Sequence, residues 1–246
     1  MIASTTQASP RLKARLAGVF YLITVLTGLF AEVYVRGSLI VSGDAGATAR
    51  NILASQTLYR FGFVADLVGA GAYAVVTLLL YQLLRPIDRS ISLLAALSSA
   101  IGIAIGGAGV LGHIAPLFIL NGSPYLAAFS ATQLQALAFL SLKMHAQAYL
   151  IALVFFGWYE VLLGYLIVRS TFLPRALGVL VGIAGLAFLI NSFALFLSPT
   201  IGAALNAYML GIDGIGEIAL TFWLLIFGVN VQRWYERSER ATVTAS

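Results

Sequence analysis

The chain reads as a succession of long, uninterrupted apolar runs at 16–35, 61–84, 91–120, 145–168, 176–197 and 207–230. A helix needs about 20 apolar residues to cross the ~30 Å hydrocarbon core of a bilayer, so each run predicts one spanning helix. Barrel strands would instead show ~10-residue segments of alternating polarity. The third run is the longest and contains Pro116, which predicts a tilt or kink near its outer end. Two connections are short and carry a proline between arginines: Arg85-Pro86-Ile87-Asp88-Arg89, and the segment from Arg169 through Pro174 to Arg175. The other two long connections predict structure of their own. Asp44 can N-cap a short helix through about Ser55, with Ala45, Ala49, Ile52 and Leu53 toward the membrane and Arg50 and Asn51 outward. Ser123-Pro124 starts a turn, and Ser130-Ala131-Thr132-Gln133 is a capping box. The helix it opens either runs straight into the fourth span or lies on the interface with Leu134, Leu137, Leu140 and Met144. The expected fold is all-α: an integral membrane bundle of six transmembrane helices with short extracytoplasmic helices. It comprises a basic arm at 1–15, a membrane domain at 16–230 and a tail at 231–246.

Composition narrows the class. Hydrophobic residues make up 61% of the 246 and charged residues 9%, with mean hydropathy +0.97. Soluble domains carry about a quarter charged residues, and disordered chains are poor in apolar groups, so both are excluded. Of the 14 basic residues, ten fall on one side: Arg11, Lys13, Arg15, Arg85, Arg89, Arg169, Arg175, Arg233, Arg237 and Arg240. Arg36, Arg50, Arg60 and Lys143 fall on the other. The positive-inside rule then puts both termini in the cytoplasm, and the expected location is the bacterial cytoplasmic (inner) membrane. This bias explains the net charge of +5 without a nucleic-acid partner, and the basic arm suits anionic lipid headgroups. The start of the chain lacks a small-x-small cleavage site after its apolar run, so it reads as an uncleaved first helix. With no cysteine, disulfides, thiolate metal sites and cysteine nucleophiles are all excluded.

Small residues predict where helices touch. Ser98, Gly102 and Gly106, and Gly178 with Gly182, each line one helix face. Gly211, Gly214 and Gly216 surround acidic residues and would admit an unwound turn. Tyr34, Tyr59, Tyr125, Trp234 and Tyr235 read as interfacial aromatics, with Trp223 deeper.

Ionisable residues within the spans are the strongest functional signal, because even an Asp at a helix centre costs about 2.5 kcal/mol or more to insert. Glu32, Asp66, His113, His145, Asp213 and Glu217 map to the outer half of their spans, and Glu160 lies near the midplane. Asp213 and Glu217 are spaced i, i+4, which stacks two carboxylates on one helix face. They repel unless a proton, a cation or a metal is shared, and Asn191, Asn206 and Tyr208 could add hydrogen bonds. Arg60 is the nearest plausible fixed cation, and it or a cap could also satisfy Asp66. Glu32 can pair with Arg36, Glu160 can bond a tyrosine, and His145 beside Lys143 reads as exposed. The ligand-binding candidates are therefore Glu32, Arg60, Asp66, Glu160, Asp213 and Glu217. The metal candidates are His113, His145, Asp66, Asp213 and Glu217, converging on one outward-facing cavity.

Leu16-Ala17-Gly18-Val19-Phe20-Tyr21-Leu22, Phe30-Ala31-Glu32, Gly43-Asp44-Ala45 and Ala49-Arg50-Asn51-Ile52 occur in an order that resembles a bacterial membrane family. So do Tyr59-Arg60-Phe61-Gly62, Ala65-Asp66-Leu67, Leu83-Leu84-Arg85-Pro86, Tyr149-Leu150-Ile151, Phe155-Phe156-Gly157, Phe172-Leu173-Pro174-Arg175, Leu177-Gly178 and Gly216-Glu217 with Trp223-Leu224-Leu225. The family is the one catalogued as domain of unknown function 4386. The resemblance covers nearly the whole chain and implies the six-helix fold. It implies no activity and no catalytic residue.

Four functions remain open. The first is a protein that binds or conducts an ion or small amphiphilic ligand through the intramembrane acids. It lacks the inverted repeat of many transporters, which makes a homo-oligomer or a simple channel the expected form. The second is an intramembrane metal-dependent hydrolase of a lipid or lipid-linked substrate, with a divalent metal such as zinc on the His and Asp candidates. It would hold fewer histidines than familiar lipid amidases and no HExxH. The third is bis-histidine haem ligation by His113 and His145. The fourth is a structural or signalling subunit in contact with membrane lipids. P-loop, Gly-x-Ser-x-Gly and dinucleotide motifs are absent.

Overall fold

A computed structural model describes residues 9–243. Six helices are long and apolar enough to cross a membrane: α1 (Pro10–Leu39), α3 (Gln56–Leu84), α4 (Arg89–Leu120), α5 (Ala131–Arg169), α6 (Arg175–Leu197) and α7 (Pro199–Ile226). Two shorter α-helices, α2 (Ala45–Ala54) and α8 (Val231–Val243), and a single 3-10 turn, Pro124–Leu126, complete the set among the described residues, where no strand occurs. Part of the basic arm, 1–8, and the last three residues of the tail lie outside the described residues. The rest of the arm is helical from Pro10, where the sequence pattern places the first span only from residue 16.

The local signals act as expected. Asp44 Oδ1 accepts from the Ala47 N–H at 2.8 Å and opens α2, whose buried face is Thr48, Ala49 and Ile52. Leu53 is 40% exposed. The Ser130 N–H donates to Gln133 Oε1 at 2.8 Å and the Gln133 N–H to Ser130 Oγ at 3.3 Å, a reciprocal cap that opens α5. That helix runs unbroken for 39 residues, about 58 Å at 1.5 Å per residue, so it is the continuous form of the two expected. Asp88 Oδ1 accepts from the Ile91 N–H at 2.9 Å and starts α4, which passes through Pro116 without ending.

Two expectations about α7 fail. It begins at Pro199 rather than 207, because Ser198-Pro199 supplies a helix start within the sequence read as loop. It also stays α-helical through Gly211, Gly214 and Gly216, with no unwound turn. The earlier start moves Asp213 to about 21 Å along the helix and leaves Glu217 about 14 Å from its end.

The chain divides into two compact units, one of residues 23–73 and 102–152, the other of residues through 22, 74–101 and 153 onward. In the first, Val35, Leu39, Ile52, Tyr59, Ile114, Leu117 and Leu142 form a buried core. Tyr59 is fully buried there, so it is not an interfacial aromatic. In the second, glycines set the helix crossings. A Cβ on Gly185 of α6 would lie 2.6 Å from the Gly157 carbonyl of α5, and one on Gly216 of α7 would lie 2.6 Å from the Ala184 Cβ. Neighbouring positions of α6 thus hold α5 and α7 at backbone distance. Large apolar side chains such as Leu78, Leu111, Ile183 and Ile215 remain exposed, as faces turned to hydrocarbon would be.

Candidate functional site: two buried polar clusters

The first cluster is built on an eight-residue π-helical stretch of α1, Leu29–Arg36, where the Gly37 N–H reaches back to the Glu32 carbonyl. Such widened turns recur at functional positions. Here the stretch carries Glu32 and Arg36. Arg36 Nε donates to Glu32 Oε2 at 2.7 Å, and the guanidinium grips Asp66 of α3 with both ends, Nη1 to Oδ2 at 2.6 Å and Nη2 to Oδ1 at 3.1 Å. His113 of α4, fully buried, places Nδ1 2.9 Å from Asp66 Oδ2 and 2.6 Å from Arg36 Nη1. Tyr59 donates its hydroxyl to the His113 carbonyl, and its ring lies tilted against the imidazole with centroids 4.5 Å apart. His145 of α5 lies edge-on to His113, centroids 5.7 Å apart, with Nδ1 2.9 Å from the Gly109 carbonyl. The approach is possible because position 112 is glycine: a Cβ there would lie 2.6 Å from the Ser141 carbonyl and 3.0 Å from His145 Cβ.

One atom of each of Asp66, His113 and His145 falls within a 4.8 Å span, a spacing a metal could bridge. Asp66, however, already has its counter-charge. Arg36 neutralises Asp66 through a bidentate pair of the strong kind and meets Glu32 as well. A divalent cation would be placed beside a fixed guanidinium.

The second cluster has no such partner. Glu160 of α5 and Asp213 and Glu217 of α7 bring one oxygen each within the same 4.8 Å span. The glycine crossings explain the meeting, since the Cβ that Gly185 lacks would touch Glu160 Cβ at 2.8 Å. Glu160 is 1% exposed and Asp213 5%. Tyr21 of α1 donates to Glu217 Oε1 at 3.1 Å. Glu160 Oε2 and Asp213 Oδ1 are buried without a hydrogen-bond partner, and no ion pair among the described residues reaches the three acids. Facing carboxylates bond one another only through a shared proton, so the cluster needs protons or a cation.

A family model described as "Domain of unknown function (DUF4386)" matches residues 16–228. The chain belongs to the DUF4386 family. A protein of Archaeoglobus fulgidus named "Uncharacterized protein" is 28% identical to it over 153 residues, covering 62% of this chain and 75% of that one. No solved structure matches.

In this DUF4386 chain the five expected metal ligands, with Glu160 added, make up two triads. Asp66 joins His113 and His145, while Asp213 and Glu217 join Glu160. Glu160, read as an acid that can bond a tyrosine, has two acidic neighbours. Arg60 is exposed, and the guanidinium that meets Asp66 is Arg36. The Glu32–Arg36 pair forms as read, although Glu32 is 66% exposed. His145 is buried rather than exposed. Asn191 donates to Asn206 Oδ1 at 3.0 Å, and Tyr208 is 72% exposed, so neither asparagine nor Tyr208 serves the acids as anticipated. Sequence reasoning treated Arg36 only as a neighbour of Glu32 and passed over Tyr21. The i, i+4 spacing carried half of the Arg36 role, and nothing local carried the rest.

Proposed function

We propose that this DUF4386 protein is a cation-binding membrane bundle in which an inorganic cation and protons compete for the oxygens of Glu160, Asp213 and Glu217. The observation that carries the reading is a triad of carboxyls, two of them buried, with no ion-pair partner among the described residues. A set of hard oxygen donors favours cations such as Ca²⁺, Mg²⁺ or Mn²⁺ over those that prefer sulfur or imidazole. Binding such a cation releases any protons the carboxyls hold, which is the elementary step of ion-coupled proton movement. The alternative of zinc-dependent lipid hydrolysis has less support, because Arg36 already occupies the Asp66–His113 face.

Both termini belong in the cytoplasm on this reading, with α2 and the start of α5 on the outer side, since ten of the 14 basic residues flank the inner ends. The absence of cysteine makes topology easy to read: Ser42→Cys should react with a membrane-impermeant maleimide from outside intact cells, and Ser90→Cys should not. For the site, Mn²⁺ titrated into the full chain in neutral detergent should bind saturably by electron paramagnetic resonance. Glu160→Gln with Asp213→Asn should abolish binding. Equal binding by the two proteins would remove the triad as the site.

A further inference from the structure

At the end where the chain leaves its sixth span, the start of α8 is tied to the connection between α5 and α6 and to the end of α3. The Asn230 N–H donates to the Phe172 carbonyl at 3.1 Å, Arg233 Nη1 to the Thr171 carbonyl at 3.2 Å, and Trp234 Nε1 to the Leu83 carbonyl at 2.9 Å. These bonds fix the orientation of the helix. Arg233, Arg237 and Arg240 then follow at i, i+4 and i+7 on one face. With Thr171 and Glu236 they line a cavity of about 250 Å³.

The lining is strongly biased in charge. Three guanidiniums face one carboxylate, and Glu236 Oε1 already accepts from Gln232 Nε2 at 3.3 Å. Arg237 Nε is buried with no hydrogen-bond partner. A guanidinium presents a planar fork of donors that matches the oxygens of a phosphate, and several converging forks select a phosphate over a point-like anion. Trp234 and Tyr235 pack edge to face at 5.3 Å beside these arginines. Tryptophan and tyrosine next to basic residues mark the headgroup level of a bilayer. A nucleic acid would instead need a long basic track, whereas this cavity is lined by five residues.

We propose that Arg233, Arg237 and Arg240 form a phosphate-binding site that holds the phosphate of an anionic membrane lipid. The site is independent of the carboxyl triad. A soluble phosphate shares the same chemistry, so the test has two arms. Fluorescent phosphatidylglycerol and inorganic phosphate are each titrated into the full chain in neutral detergent. The proteins compared are the unaltered chain, Arg237→Gln/Arg240→Gln and Arg237→Lys/Arg240→Lys. Arg233 is kept because it anchors the helix. Lipid affinity should fall at least tenfold in the glutamine variant and by a smaller factor in the lysine variant, which keeps charge but loses the fork. Inorganic phosphate should bind far more weakly than lipid. Phosphate binding as tight as lipid, and equally sensitive to the substitutions, would overturn the lipid assignment. Lipid binding unchanged in both variants would overturn the site. Should the glutamine variant fail to fold, the lysine variant decides alone. Glu160→Gln should leave lipid binding unaltered, which separates this result from the fate of the cation site.

Discussion

Arg36 reaches Asp66 and Glu32 within 3.1 Å, whereas no ion pair among the described residues reaches Glu160, Asp213 or Glu217. Both clusters place acids in helices long and apolar enough to lie in a membrane. Only the first carries its own positive charge. Its two acids are held by a covalently tethered guanidinium, which leaves His113 Nε2 as its buried atom without a hydrogen-bond partner. The second must take its compensating charge from outside the chain. A buried pair with its counter-ion in place defines geometry, and a buried set without one defines a demand for a ligand. On the proposed reading the first cluster is structural and the second binds a cation.

The largest effect that could break this contrast is removal of the tethered charge. Arg36→Met strands Asp66 beside His113 and should destabilise the protein by about 3–5 kcal/mol, read as a lower thermal midpoint in detergent. A mild effect would mean that His113 alone can hold Asp66. Next comes the packing that assembles the triad. Gly185→Leu forces a side chain against the Gly157 carbonyl and should cost about 1–3 kcal/mol while weakening Mn²⁺ binding. Destabilisation with intact binding would show that α5 and α7 do not depend on this crossing. Glu160→Gln should act with the opposite sign to Arg36→Met. Without added cation it removes repulsion and leaves the midpoint unchanged or raised, and the stabilisation by Mn²⁺ disappears. Tyr21→Phe deletes one hydrogen bond to Glu217 and should cost about 0.5–1.5 kcal/mol. Smallest is Glu32→Gln, because an ion pair whose carboxylate is 66% exposed is worth about 0–1 kcal/mol.

What the sequence made legible follows from range. The six apolar runs depend on local composition, and the Asp44 cap and the Ser130–Gln133 box depend on atoms three residues apart, so all could be read directly. The Glu32–Arg36 pair lies one helical turn apart and was equally readable. The partner of Asp66 is 30 residues away in the chain, and Arg60, six residues away, was the nearer but wrong choice. Glu160 read as solitary because its neighbours are 53 and 57 residues downstream, and the crossing that joins them depends on Gly185 in a third helix. The start of α7 was misplaced because Ser198-Pro199 was read as loop rather than as a helix start, and that error set Asp213 and Glu217 too far from Glu160 in depth. The triad was hidden by a boundary and by tertiary pairing, while its chemistry was visible in the residues themselves.

The most direct measurement is the number of protons released when Mn²⁺ is added to the purified full chain in weakly buffered neutral detergent. Saturable release is expected from the unaltered protein and from Glu32→Gln. None is expected from Glu160→Gln/Asp213→Asn/Glu217→Gln. Release that is identical in the triple variant, or absent from the unaltered protein, would contradict a cation–proton centre at these three carboxyls.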